Sequence, residues 1–178
     1  MDFREKKISE TLIYKGKILN LKKDQVLLPN GNEGVREYVE HSGGSAILCE
    51  KDGKILLVKQ FRYPYGQEIY EIPAGKLNEG EDPEQTAIRE LEEEGGVKAK
   101  RVEKLFDVYP TPAYTNEIIR IYKAIDIEET KTHLDEDEFL SAVWIDKKDI
   151  KEMLKKGEIK DAKTLIALSF ALNDKVGN

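Results

Sequence analysis

The chain has 178 residues, 39% hydrophobic and 36% charged, which suits one well-buried core with a small appendage. Its formal net charge of −6 argues against a nucleic-acid polymer as the main partner, since such partners are met by basic surfaces. The single cysteine, Cys49, excludes an internal disulfide and reads as a buried thiol, and with no signal peptide or membrane-spanning stretch in view the expected location is cytoplasmic, with no membrane partner.

Residues 1–10 are polar and read as a loose lead-in. Thr11 to Leu28 alternates around Tyr14, Ile18, Leu19, Leu21 and Val26, Asn30-Gly31 signals a hairpin turn, and Val35 to Val39 returns as a strand. Residues 1–42 therefore form a small antiparallel β unit. It is too small to bury enough apolar surface alone, so it must pack on the main domain, residues 43–178, or on a second copy of the chain.

His41-Ser42-Gly43-Gly44 reads as a hinge. Ser45 to Glu50 and Ile55 to Gln60 are apolar runs joined as a hairpin through Lys51-Asp52-Gly53-Lys54. Phe61 to Gly66 is an aromatic and basic loop, and Tyr70 to Ala74 a short strand. Strands follow over Ala99 to Tyr109, Ile118 to Ile125 and Phe139 to Ile145, with a non-periodic acidic stretch from Glu128 to Glu138 between the last two. Helices are predicted over Asp146 to Lys156 and Asp161 to Leu172, the second turning Ala162, Leu165, Ile166, Leu168 and Ser169 inward. Strands interleaved with three helices give an α/β class, helices packed on a mixed β-sheet.

The remaining helix lies inside Gly75 to Val97, the segment on which the rest is organised. Asp82 is an N-cap, Pro83 suits the first helical position, Gln85 falls where a capping box places an amide, and Gly95-Gly96 ends the helix. Ala87, Ile88 and Leu91 form an apolar stripe. Glu90 lies three and four residues before Glu93 and Glu94, so the three acids face one another. Such crowding is either a solvated acidic face or a cation site, and oxygen-only ligands favour Mg²⁺ or Mn²⁺ over zinc. Arg89, four residues before Glu93, is placed to pair with it.

The order Gly75, Glu81, Arg89-Glu90-Leu91, Glu93-Glu94, Gly96-Val97 resembles the Nudix box, the signature of the Nudix hydrolases, at every fixed position. The resemblance implies the Nudix fold, a mixed sheet sandwiched between helices. It also implies cation-dependent hydrolysis of a nucleoside diphosphate linked to a further group. Glu90 and Glu94 would then be metal ligands, with the backbone carbonyl of Ala74 completing a shell. Glu93 would be a further ligand or a water-orienting acid, Arg89 a structural partner, and Glu81 a brace for the loop or a further help to the metal.

Three features outside the box resemble the ADP-ribose pyrophosphatase subfamily: Pro112, sixteen residues past Gly96; the N-terminal β unit, which resembles a dimerising domain; and the segments Leu134 to Phe139 and Gly157 to Leu168. The implied substrate is ADP-ribose or a related nucleotide sugar, and the implied assembly a homodimer through the β unit. A loop glutamate after the box would help deprotonate the attacking water, Glu136 or its rival Glu138. For binding, Arg62 and Tyr14, the latter from the partner subunit, could sandwich adenine. Arg36 is a candidate for the phosphates or the terminal ribose, and Glu37 and Glu71 could accept from sugar hydroxyls or the adenine amine. Lys76 and Arg120 are further basic candidates, and His41 and His133 are incidental. Two other readings stay open: a pyrophosphatase for another nucleotide sugar such as GDP-mannose, and a non-catalytic nucleotide sensor, which would be expected to have lost box acids that are all present here.

Overall fold

The computed structural model describes residues 2–134 and 138–173, and these divide into two compact units. The first comprises the chain up to Gly43 together with Tyr109–Ile118; the second comprises Gly44–Val108 and the described chain from Ile119 onward.

In the first unit, β1 (Lys6–Lys15), β2 (Leu19–Leu27) and β3 (Glu33–His41) form an antiparallel meander in that order. The Asn30-Gly31 turn lies where the sequence puts it: Gly31 has φ 85° and donates its N–H to Leu28 O at 2.9 Å, a conformation that suits glycine. Two expectations are corrected. The lead-in is already strand from Lys6, paired with Leu27. The alternating stretch after Thr11 is two strands, not one, because Gly16 closes a tight turn with its N–H on Leu19 O at 2.9 Å. A Cβ there would stand 2.8 Å from that oxygen.

The segment 109–118 zips onto β3. Val39 N–H donates to Tyr114 O at 2.8 Å, Asn116 N–H to Val39 O at 3.2 Å, and His41 N–H to Asn116 Oδ1 at 2.8 Å. These bonds explain why that segment groups with the first unit although its flanking strands belong to the second.

The second unit holds β4 (Gly44–Leu48), β5 (Glu50–Lys51), β6 (Lys54–Arg62), a 3₁₀ turn at Tyr63–Tyr65, β7 (Gln67–Glu71), β8 (Ala74–Lys76) and α1 (Pro83–Gly95). After these come β9 (Val97–Val108), β10 (Ile119–Glu129), β11 (Leu140–Asp146), α2 (Lys147–Lys155) and α3 (Ala162–Ala171). One sheet runs β8-β4-β10-β9, mixed because β4 and β10 are parallel; the other runs β11-β6-β5, with β7 also on β6. The apolar runs are buried on both faces, as the lack of polar alternation demands. Ala46, Leu48, Ile55 and Leu57 pack with Ile150, Ala167 and Leu168 of α2 and α3. The alternate residues Ile47, Cys49 and Leu56 pack with Ala87 and Leu91 of α1. The helices thus cover opposite faces, and burial pushes the Cys49 thiol up to about 12.

Here the expected long hairpin is corrected. β4 and β6 fall in different sheets; Glu50 and Lys51 fold back on Lys54 and Ile55 around Asp52 and Gly53, both at positive φ, and the pairing ends where Leu56 N–H donates to Cys49 O at 3.0 Å. β4, fully buried, is drawn to the centre between β8 and β10. The inward face of α3 is also corrected. Lys163, Thr164, Ala167 and Leu168 are buried while Ser169 is exposed, because Lys163 finds Glu71 on β7 and Thr164 the backbone N–H of Ile72 just beyond it.

Candidate active site

The helix α1 starts and stops on its own signals. Asp82 Oδ1 accepts from Glu84 N–H at 2.8 Å, Pro83 occupies the first turn, and Gly96 ends the helix at φ 62° with its N–H on Glu92 O. Its inward face carries Thr86, Ala87 and Leu91, but also Glu90 and Glu94, only 6% and 4% exposed. Ile88, assigned to the stripe from sequence, is only half-buried.

Both acids press on β8. Glu94 Oε2 accepts from Ala74 N–H at 2.9 Å. Gly75 makes room for Glu90: a Cβ there would lie 1.8 Å from Glu90 Oε1, so any other residue would displace the carboxylate. Burial, opposed by Arg89, raises the Glu90 carboxyl to about 7. Burial, reinforced by the charges of Glu90 and Glu138, raises Glu94 to about 8. Two buried acids held close to neutrality by desolvation are an unfinished electrostatic arrangement, which positive charge would complete.

Arg89 is the brace. Its Nε and Nη2 reach the two oxygens of Glu81 at 2.9 and 3.2 Å, and its Nη1 lies 2.7 Å from both Glu93 Oε2 and Glu90 Oε1. Glu81 also accepts from Asn78 N–H at 3.1 Å. The Arg89 hydrogen bonds hold the Glu81 carboxyl at about 2, and Arg89 in turn is held above its ordinary value, chiefly by Glu81. Glu81 therefore ties the loop before the helix to the helix itself.

Glu90, Glu93, Arg89, Gly75, Lys76 and Asn78 line an open cleft of about 380 Å³, and Glu138 lines it too. The loop acid Glu138 thus comes to the box acids. Its rival Glu136 lies outside the described residues.

Among the described residues no group of three or more His, Cys, Asp or Glu converges as a ready-made metal cluster. The donor set nevertheless suits a hard cation. Glu90 and Glu94 offer buried carboxylate oxygens, and Glu93 and Glu138 reach the same region. Ser45, opposite Gly75 in the β4–β8 pair, keeps a buried Oγ without a hydrogen-bond partner among the described residues. Ser45 shares its face of β4 with Ile47, the α1 face. Ala74, expected to offer its carbonyl to a cation, is tied by its N–H to Glu94.

Arg62 and Glu71 are brought together. Arg62 Nε and Nη2 donate to the two Glu71 oxygens at 2.6 and 2.9 Å. Glu71 is 1% exposed and also receives Lys163 Nζ. Burial alone would raise its carboxyl, but the two cations outweigh burial and hold it below the usual range. Both oxygens of Glu71 are thus engaged by protein cations, whereas the sequence reading offered them to substrate. Lys163 was missed from sequence. Its signal was a lysine in register with Ala167, on what becomes the apolar face of α3.

Tyr14, Arg36, Glu37 and Pro112 belong to the first unit. Tyr14 is 59% exposed on β1. Arg36 pairs with Glu5, at 2.9 Å through Nε. Glu37 is exposed with Lys23 Nζ at 3.8 Å, and Pro112 is exposed in the segment 109–118. Arg120 is half-buried on β10. His41 Nδ1 accepts from Gly43 N–H at 3.0 Å, and His133 donates its backbone N–H to Glu93 O at 3.0 Å.

Comparison with known proteins gives concordant results. A family model described as NUDIX domain matches residues 40–168, and one described as nucleoside diphosphate sugar hydrolase N-terminal domain matches residues 5–39. The chain is 43% identical over 169 residues to an ADP-ribose pyrophosphatase of Bacillus subtilis, covering 93% of this chain and 91% of the relative. It is 40% identical over 171 residues to a methanol dehydrogenase activator of Bacillus methanolicus, covering 94% and 92%. A crystal structure of an ADP compounds hydrolase superposes with a TM-score of 0.83 at 19% identity, over 96% of this chain and 94% of that one; at that identity the likeness speaks for the fold.

Proposed function

The chain belongs to the Nudix family, and from that premise we propose that it hydrolyses the diphosphate of ADP-ribose to AMP and ribose 5-phosphate. The observation that carries this reading is the pair of buried acids, Glu90 and Glu94, held against Gly75 and Ala74, with Glu90 on the wall of an open cleft. The choice of ADP-ribose is supported by the Bacillus subtilis relative.

Glu90 and Glu94 would hold a divalent cation, Mg²⁺ or Mn²⁺. When bound, it supplies positive charge to the diphosphate oxygens and makes attacking water more acidic. The chain supplies the rest. Arg89, anchored on Glu81, fixes Glu90 and Glu93 in place. Glu138, on the wall of the cleft, is our candidate for taking the proton of the attacking water; Glu136 shares that proposal from sequence, and Glu93 is the alternative within the box.

Arg62 keeps Nη1 without a hydrogen bond among the described residues, so it has donors left for an anionic or π-rich substrate. Glu71 orients Arg62. Tyr14, exposed on β1, would offer its ring for stacking from the partner subunit, Arg36 would offer donors for the phosphates or the terminal ribose, and Glu37 would accept from sugar hydroxyls or the adenine amine. Ile8, Leu12, Ile13 and Tyr14 leave β1 with exposed apolar side chains, which supports homodimerisation through the first unit. No described helix is long and apolar enough to cross a membrane, and the proposed location is cytoplasmic.

The test is a panel of nucleoside diphosphate sugars with Mg²⁺ or Mn²⁺, products identified by mass. AMP and ribose 5-phosphate from ADP-ribose are expected. Faster release of GMP from GDP-mannose would move the substrate assignment, and no turnover of any member would overturn the reading.

A further inference from the structure

We propose that Lys163, on the first turn of α3, is a positioning residue for substrate binding that acts through Glu71 on Arg62. The proposal deepens the reading above and rests on it. Lys163 is 8% exposed, and a lysine is rarely buried to that degree unless paired. It is paired twice: Nζ reaches Glu71 Oε2, and Asp161 Oδ2 at 3.1 Å. Glu71 in turn grips Arg62 through both oxygens. The cluster spans three elements, with Lys163 on α3, Glu71 at the end of β7 and Arg62 at the end of β6.

A second tie runs beside the first. Ile72 N–H donates to Thr164 Oγ1 at 2.9 Å, and Thr164 Oγ1 and N–H both donate to Asp161 Oδ2, at 2.6 and 2.9 Å. Two residues beyond Ile72, Ala74 donates to Glu94. The start of α3 therefore holds the β7–β8 segment from behind, on the side away from α1.

The pattern assigns distinct tasks. Arg62 is partly exposed and keeps Nη1 available, so it is the member that can touch substrate. A guanidinium on a long side chain has many rotamers, and only a fixed acceptor makes it a directed donor. Glu71 is that acceptor, but a lone buried carboxylate could itself rotate. Lys163 removes that freedom by holding Oε2, the oxygen it shares with Arg62 Nη2, while its own Nζ is tied back to Asp161. A buried cation that touches no substrate is thereby coupled to the geometry of one that does.

The test compares kinetics with whichever nucleoside diphosphate sugar the wild type hydrolyses. Lys163→Met is expected to raise KM about tenfold while kcat stays within about threefold, since ground-state binding is what loosens. Lys163→Arg, which keeps the charge, should restore KM to within about threefold of wild type. Glu71→Gln/Lys163→Met should match Glu71→Gln alone, because the lysine acts only through that carboxylate. The double variant also serves if Lys163→Met fails to fold, since it removes the buried Glu71 charge together with that of Lys163. An active wild type with an unchanged KM in Lys163→Met overturns this proposal alone. So does equal impairment by Lys163→Arg, or a further rise in KM on adding Lys163→Met to Glu71→Gln. A wild type inactive on every member of the panel removes both the proposal and the functional reading beneath it.

Discussion

Glu94→Gln should have opposite effects on activity and on the stability of the cation-free protein. The Glu94 carboxyl, raised by burial to about 8, is better protonated in the folded chain than in the unfolded one. Its contribution to stability is intact below the ordinary carboxylate value and is lost as pH climbs to about 8. At about 1.36 kcal/mol per pH unit, ionising it in the fold costs on the order of 4 kcal/mol at and above pH 8. The amide keeps an oxygen for Ala74 N–H but brings an NH₂ group whose desolvation returns about 1–3 kcal/mol of that cost. A net gain of about 2 kcal/mol remains, roughly 4–8 °C in melting temperature for a chain of this size. In chelator at pH 8 the variant should melt above the wild type. With Mg²⁺ at about a hundred times its dissociation constant the wild type should gain about 2.7 kcal/mol, and the variant far less, so the order closes or inverts. Turnover should fall at least about a hundredfold, on the scale of losing a transition-state charge partner. A variant that melts below the wild type in chelator and keeps near wild-type turnover would refute the role assigned to this acid.

Gly75→Ala should abolish most turnover, because its Cβ would overlap the Glu90 carboxylate; a fully active variant in steady-state assays would show that Glu90 is free to stand elsewhere. Arg89→Ala should destabilise by about 3–5 kcal/mol in denaturant melts, since it leaves Glu81, Glu90 and Glu93 without their shared cation, and a loss below about 1 kcal/mol would reduce Arg89 to a surface pair. Glu136→Gln and Glu138→Gln, made separately, should differ in their effect on kcat, with equal small effects pointing to Glu93 as the base. Sedimentation at micromolar concentration should give a dimer that Leu12→Lys or Ile13→Lys in β1 weakens; a wild-type monomer would remove the first unit from assembly.

Much of this was legible in the sequence. The limits of α1 follow from Asp82, Pro83 and Gly96, whose cap geometry is local chemistry, and the strands after the box were placed to within a few residues. What was not legible depends on partners far away in the chain. β4 and β6 look like hairpin partners, yet a strand buried on both faces is drawn between β8 and β10, which the local turn at Asp52-Gly53 cannot reveal. The α3 face is not legible locally, because Lys163 and Thr164 count as polar until Glu71 and Ile72, some ninety residues earlier, supply their partners. Glu90 and Glu94 do not count toward an apolar stripe of Ala87, Ile88 and Leu91, yet they are part of the buried face, because Gly75 lets the helix approach.

The most direct test of the central claim is titration of the protein with Mn²⁺, following the free ion by electron paramagnetic resonance. The wild type should deplete the free signal, and Glu90→Gln/Glu94→Gln should leave most of it. Equal depletion by both proteins would show that the buried acids of α1 are not the cation site.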